Sequence, residues 1–448
     1  MSNICFIANY YKTDVFLEVS KILEKKNHTV FWIVSSKKQY DWLLSKFPSD
    51  RLLYIGKKEV LASKTKQIDV DLKLNELIYN DRVLKHESRN WSYNYLKNLT
   101  SLYYNFFKTN KISYIFGEIT WAHEILAYRL STFHTELETQ FLNPHTIRVP
   151  NGRFAFFTDE FQSCIKEVKR VDNEVFSTIT AEKPEYLKLN DKWIDKKKSI
   201  SHNIGLLKNF IFRTNQDAND VTLYSSPYNQ FKIRTTEIIN RFIFNKFVSE
   251  TTIEKLPENG KFVLFTLHKQ PEASIDVIGR YYENQLSLIE NIWRFLPENY
   301  YLLVKEHSNA IGDRSYSFYS KVKSLRNVFL IDNRINSYDL IEISSAIFTV
   351  SGTVAYEAAL MSTMSFTFAP AFFNKLKCCR EISLDEFKHN TFIELMSKNN
   401  TGLSNEGFSN WLMSNSFKGV MSDAFGNPRS IEPENINLIA NAIEKIVC

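Results

Sequence analysis

Three polar clusters in the second half of the chain each follow a short apolar run. They are "HKQPE" (His268 to Glu272) after "KFVLFTL", "KEHS" (Lys305 to Ser308) after "YYLLV", and "VSGT" (Val350 to Thr353) after "AIFT". A connecting loop does not need that density of functional groups. In "SGTVAYEA", Gly352 permits a tight turn, and the residues after it open a helix whose free N–H groups and dipole favour an anion. Ser351 and Thr353 add hydroxyl donors, and Glu357, one turn further on, has the reach for a ribose hydroxyl. The plainer reading is a helix capped by Ser351 or Thr353 behind a buried strand. Lys305 and His307 alternate along one strand and so share a face. A cation beside an imidazole suits a phosphate or carboxylate, and His307 has the chemistry to protonate a leaving phosphate. The plainer reading there is a pair exposed to water. His268, Gln270 and Glu272, with Asp276 shortly after, would form a third wall.

The first half offers one comparable stretch, "FGEITWAHE". Glu118 follows Gly117 at a strand end, and a carboxylate there could act as general base or nucleophile, or simply cap a helix. Asp276 and Glu272 are its rivals for that role. "TIRVPNGRFAFFTDE" then carries Arg148 and Arg153 in an expected loop, where they could hold an acidic sugar or pair with surface carboxylates. There is no G-x-G-x-x-G after the first strand, no G-x-x-x-x-G-K-[ST] and no G-x-S-x-G. His123, His134 and His145 recur, but their spacing matches no metal site.

Positioning these groups requires strands that end together. The chain opens β-α-β-α-β: "NICFIAN", a helix with Asp14 as candidate cap, "TVFWIVS", then "RLLYIG". A segment from about Asp69 to Thr109 reads as helical, "SYIFGEIT" as a strand and "WAHEILAYRLS" as a helix. From Gly260 the alternation resumes. "KFVLFTLH" is a strand, "SIDVIGRYYENQLSLIENIWRFLP" one long amphipathic helix, and "YYLLVKEH", "VFLID", "AIFTVSG" and "MSFTFA" are strands with helices between. Ser337 is the candidate cap of the helix before "AIFTVSG". Alternating strands and helices predict parallel sheets, and two such units in tandem predict a ligand cleft between them. The middle holds "DKKKSISHN", "LLKNFIFRTN" and "RFIFNKFVSE". Its plainer reading is helices with solvated lysines, and its sharper one is a face that touches anionic lipid at the inner side of the cytoplasmic membrane.

The 448 residues suit two or three domains, and the net charge of +6 fits an anionic substrate but is too small to argue for nucleic acid. The five cysteines are scattered without C-x-x-C spacing, which points to a reducing compartment. The N-terminus lacks a basic stretch followed by a long apolar core, and no run of about 18 apolar residues occurs. The expected location is the cytoplasm.

"LHKQPEAS…G", "LLVKEH", "NVFLID" and "VSGTVAYEAAL", in that order, resemble the bacterial capsule and surface-polysaccharide biosynthesis glycosyltransferases, which are similar to the capsule Kdo transferases. "FGEITWAHE" and "IRVPNGRF" also look like that group. The resemblance implies an α/β fold of GT-B-like type, with two Rossmann-like domains facing across a cleft and a helical middle segment. The expected division is 1–190 (acceptor side), 191–255 (helical linker), 256–430 (nucleotide-sugar domain) and 431–448 (terminal helix). It implies a CMP-activated acidic sugar (Kdo, pseudaminic acid or another nonulosonate) as donor, a glycan or glycolipid acceptor, no cofactor and no metal. Glu118, His307 and Glu272 become the catalytic candidates. His268, Gln270, Lys305, His307, Ser351, Gly352, Thr353 and Glu357 would bind the nucleotide, and Arg148, Arg153 and Asp276 the sugars. The family usually has proline after the histidine, where this chain has Ser308. The alternatives are a UDP- or GDP-sugar donor, or a non-catalytic glycan-binding component of polysaccharide assembly.

Overall fold

The computed structural model describes residues 1–10, 12–68, 70–168, 177–182, 217–223, 227–398 and 400–448. The "DKKKSISHN" and "LLKNFIFRTN" stretches lie outside the described residues. The first sheet contains β1 (Asn3–Ile7), β2 (Thr29–Val34), β3 (Leu52–Tyr54), β4 (Tyr114–Phe116), β5 (Gln140–Thr146) and β6 (Arg153–Phe157). The second contains β7 (Lys261–Thr266), β8 (Tyr300–Lys305), β9 (Val328–Ile331), β10 (Ser344–Thr349), β11 (Ser365–Thr367) and β12 (Cys379–Glu381). The last strand, β13 (Phe417–Lys418), returns to the first sheet, giving the orders β13-β6-β5-β4-β1-β2-β3 and β12-β11-β10-β7-β8-β9. The second sheet is parallel throughout, and the first is parallel from β5 to β3. These are two Rossmann-like α/β domains in the GT-B-like arrangement.

Both sheets are covered by helices, so their central strands are apolar on both faces. Val263, Leu264 and Phe265 of β7 are fully buried, as are Ile4, Cys5 and Phe6 of β1. The terminal helix, Pro433–Val447, packs Ile436, Ile439, Ile443 and Val447 against the first domain's Phe6, Val15 and Trp32 cluster. At roughly 1.5–3 kcal/mol for each large apolar side chain buried, this face anchors the end of the chain to the domain where it began. The sequence reading puts the boundary at 430, yet β13 already pairs with β6 through Phe417–Phe154 and Lys418–Arg153. Two residues are too short a strand to show as periodicity.

Other elements also differ from expectation. Asp14 lies inside the helix Lys12–Lys25 rather than at its start. Asn336, not Ser337, caps the helix Ser337–Ile343 by accepting from the Tyr338 amide at 3.3 Å. The expected long helix from Ser274 is a single π turn, Ser274–Ile278, followed by a break and then the helix Gln285–Phe295. The Ser274 carbonyl already accepts from the Gly279 amide and the Ser351 hydroxyl, and Asn284 caps the second helix at the Ser287 amide, 3.1 Å away. The expected loop around Arg148 and Arg153 is a hairpin, with β5 antiparallel to β6.

The domains meet along two seams. On one side, Ile147, Val149, Ala155 and Phe157 share an apolar cluster with Tyr356, Ala359, Phe372 and Phe408, and the Tyr356 hydroxyl donates to the Val149 carbonyl at 2.8 Å. On the other, Arg280 pairs with Glu76 (2.6 Å) and Glu160 (3.1 Å), which also pair with the buried Arg129. Tyr281 donates to Glu76 at 2.6 Å and Tyr79 to Glu283 at 2.7 Å. Among the described residues, no helix is long and apolar enough to cross a membrane.

Candidate functional site

Parallel topology brings the ends of β7, β8 and β10 to one edge of the second sheet. At that edge His268 Nε2 lies 2.9 Å from Thr349 Oγ1 and accepts from the Ser351 amide at 3.3 Å. The backbone of His268 is pinned in turn: its amide donates to Gln285 Oε1 at 2.7 Å, and its carbonyl accepts from Gln285 and Arg314. Burial pushes the imidazole down to about 3, so the ring is neutral and acts as an acceptor. His268, expected to bind nucleotide, is therefore part of the scaffold that holds the Ser351 turn, because its acceptor nitrogen is already engaged. Gly352 is needed here for space. A Cβ on it would sit 2.6 Å from Thr349 Oγ1 and 3.3 Å from His268 Cε1.

That turn delivers the helix Thr353–Leu360 with no side-chain cap. The Ser351 hydroxyl donates to the Ser274 carbonyl at 2.8 Å, so it holds the turn. The amides of Thr353 and Val354 and the Thr353 hydroxyl have no partner among the described residues. The donors left for an anion are thus at Thr353 and Val354, one step along from Ser351. Glu357 faces into this region, nine-tenths or more buried. Burial pushes its carboxyl up to about 7, against the opposing charge of Arg148 from the first domain.

His307 follows β8 and is half-buried. Its Nδ1 accepts from the Asn309 amide at 3.2 Å, which assigns the proton of the neutral ring to Nε2. Nε2 has no partner among the described residues. Burial lowers its pKa, with Glu272 opposing and Lys269, Lys305 and Arg314 adding to the effect. The turn that proline would stiffen is fixed here by hydrogen bonds. The His307 amide donates to Glu306 Oε1 at 2.7 Å, and the Ala310 amide to the His307 carbonyl at 2.8 Å. Glu306 is buried and held by Arg314 (2.6 Å) and Tyr319 (2.8 Å).

Lys305 does not join His307. Its Nζ donates to the Asn333 carbonyl at 3.1 Å, toward Glu250 and Asp332, so the shared strand face does not become a shared ligand. Glu272 is exposed, accepts from the Ser274 hydroxyl at 3.0 Å and is the carboxylate nearest in effect to His307. Gln270 lines a cavity of about 320 Å³ with Arg314, Ser315 and Lys321. Among the described residues, its lining comes from the second domain alone.

In the first domain Glu118 ends β4 and forms an ion pair with Lys12, whose side chain is 6% exposed against 23% for Glu118. Asn9 donates to Glu118 Oε2 at 3.0 Å. Burial opposes ionisation, but Lys12, with His145 and Arg82, outweighs it and holds the Glu118 carboxyl below its ordinary value. The helix-capping role considered for Glu118 belongs to Glu124, which accepts from the Thr120 amide (2.8 Å), the Thr120 hydroxyl (2.9 Å) and the Trp121 amide (3.1 Å). Burial and the Glu118 charge push Glu124 up to about 8. His123 is buried, and burial alone lowers it to about 3.

Arg153 is not available to a sugar. It is buried on β6 and donates to the Ser416 hydroxyl (3.0 Å), the Met413 carbonyl (3.0 Å) and the Ser416 carbonyl (2.6 Å), fastening β13 to the first sheet. Asp276 is also buried, in the seam, 3.9 Å from Arg82 Nε, and burial raises it to about 6. Its carbonyl accepts from Asn80 at 2.8 Å. Lys12, Asn9 and Arg82 are functional candidates that sequence reasoning missed. Arg82 stacks over Trp121 at 4.2 Å, donates to the Thr120 carbonyl at 3.0 Å and reaches Asp276 in the other domain. The only signal for Lys12 and Asn9 was their place just after the first strand.

No family model matches the sequence, and no curated protein matches it. Among solved structures, the β-Kdo 2,7-transferase of Thermosulfurimonas dismutans KpsC is similar over 99% of this chain and 100% of that chain, at 11% identity and a TM-score of 0.38. The β-Kdo 2,4-transferase of the same protein covers 74% of this chain and 87% of that one, at 14% identity and 0.35. Acinetobacter baumannii MurG covers 99% and 100%, at 10% identity and 0.27.

Proposed function

We propose that the protein is a cytoplasmic glycosyltransferase of capsule or surface-polysaccharide assembly. It moves an acidic sugar (Kdo, pseudaminic acid or a related nonulosonate) from a CMP donor to a hydroxyl of a glycan or glycolipid. Two features, one in each domain, carry this reading. One is a set of donors at one sheet edge that have no partner among the described residues: the Thr353 and Val354 amides, the Thr353 hydroxyl and His307 Nε2–H. The other is a first-domain carboxylate, Glu118, held ionised by Lys12.

In this reading the donor phosphate lies against the start of the helix Thr353–Leu360, and His307 donates to a phosphate oxygen. The bond between the anomeric carbon and that phosphate breaks, and its electron pair leaves with CMP. The amides and imidazole stabilise the departing charge, and no metal takes part. Glu118 accepts the acceptor hydroxyl's proton as the new glycosidic bond forms, or attacks the sugar first if configuration is retained. Either role needs an ionised carboxylate. Arg148 and Arg82 supply positive charge on the first-domain side for an acidic sugar.

Thermal-shift measurement with CMP, UDP and GDP tests the donor. A nucleotide at a hundred times its Kd stabilises the fold by about 2.7 kcal/mol. CMP alone is expected to do so. Preference for UDP or GDP would replace the CMP donor, and glycan binding without any nucleotide effect would replace the transferase.

A further inference from the structure

The helix Pro227–Phe247 has an inner and an outer side. On the inner side Phe244 is buried with its ring centroid 5.0 Å from that of Tyr319, and Arg241 Nε donates to the Ile311 carbonyl at 3.2 Å. This places the helix against the loop that follows His307. On the outer side Tyr228, Ile238, Ile239 and Phe242 are 70%, 65%, 57% and 61% exposed. At roughly 100° per residue these four fall within one sector of about 100°. Side chains of this size standing together in water on one helix mark an interaction surface.

The charges on the helix identify the partner. Lys232 and Arg234 flank the apolar sector, one on each side, and Lys246 lies at its end. Lys246 Nζ is 5.6 Å from the ring centre of Phe242. Glu237 is the one acidic residue of this helix, and it falls opposite the sector, where its carbonyl closely approaches Gly312 of the second domain. The solvent face is therefore apolar along its middle and basic at its margins, without a carboxylate. That is the pattern of a helix lying in the headgroup region of a negatively charged bilayer, with lysine stems along the apolar surface and ammonium groups among phosphates. We infer that this face docks the protein on an anionic phospholipid surface. The helix lies on that surface rather than crossing it, and it brings the edge of the sheet that carries His307 close to the bilayer.

Co-sedimentation of the full chain with vesicles tests this without reference to sugar transfer. The protein is expected to sediment with phosphatidylglycerol–phosphatidylcholine vesicles, to remain in solution with phosphatidylcholine alone, and to be released by high salt. Replacing Lys232 and Lys246 together by alanine weakens vesicle affinity about twenty-five-fold, from about fivefold per cationic side chain. The pair Ile238→Ser and Phe242→Ser abolishes binding with an unchanged melting temperature, because both side chains are exposed. Absence of sedimentation, equal binding to the two vesicle types, or full binding by the serine variant would overturn the proposal. So would a wild-type dimer that the serine variant converts to monomer, since the face would then belong to a second copy.

Discussion

Replacing Lys12 by methionine removes the cation of the Lys12–Glu118 pair while keeping most of the buried stem. Lys12 is 6% exposed and Glu118 23%, so the variant leaves a largely desolvated carboxylate with Asn9 as its remaining close donor. Removing one partner of a buried pair costs about 3–5 kcal/mol, and the partial exposure of Glu118 sets the expectation at about 3 kcal/mol. The pH dependence changes sign as well. In the wild type the folded carboxyl titrates below its ordinary value of 4.5, so its contribution to stability is present above that value and is lost as pH falls through the lower folded pKa. Without Lys12, burial, the largest influence on this group, pushes the carboxyl up. Stability is then lost as pH rises from the unfolded value through the raised one. The acid limb of kcat/KM moves to higher pH. Urea denaturation followed from acid to neutral pH measures the first effect, and a pH–rate profile the second. Lys12→Arg should restore part of both. A Lys12→Met protein with unchanged stability and an unmoved acid limb would refute the reasoning.

The two strand-end histidines should behave oppositely. His307→Ala lowers transfer about a hundredfold or more with little change in melting temperature, whereas His268→Ala lowers stability by about 2 kcal/mol through the loss of its bonds to Ser351 and Thr349. Arg153→Ala costs about 3 kcal/mol in denaturant unfolding because three hydrogen bonds from a buried guanidinium disappear, and it leaves the Michaelis constant for donor unchanged. Glu357, raised to about 7 by burial, ionises as pH rises through neutrality. CMP affinity measured by calorimetry should therefore weaken several-fold above pH 7, and Glu357→Gln should flatten that dependence.

The sequence carried the strand ends well, because long apolar runs such as "KFVLFTL" leave little choice of structure and parallel pairing then aligns their last residues. It also carried the helix start at Gly352, whose turn chemistry is local. It could not say which polar side chains the scaffold itself consumes. Arg153 and His268 look like ligand groups until the segment leading into β13 and the Thr349–Ser351 turn, distant in the chain, arrive beside them. The hairpin of β5 and β6 reads as a loop around Asn151-Gly152, although that pair between two apolar runs is itself a hairpin signal. Helical periodicity ran through the break after Ile278, where the Ser274 carbonyl accepts both from the Gly279 amide and from the hydroxyl of Ser351, distant in the chain. Lys12 and Asn9 carried no motif, and their meaning comes only from the pairing of β1 with β4, which sets them beside Glu118.

The most direct test of the central claim is a crystal structure of the protein with CMP. The account predicts the phosphate at the Thr353 and Val354 amides, within hydrogen-bond distance of His307 Nε2. CMP seated in the cavity lined by Gln270, Arg314 and Lys321, or bound with its phosphate away from both Thr353 and His307, would contradict it.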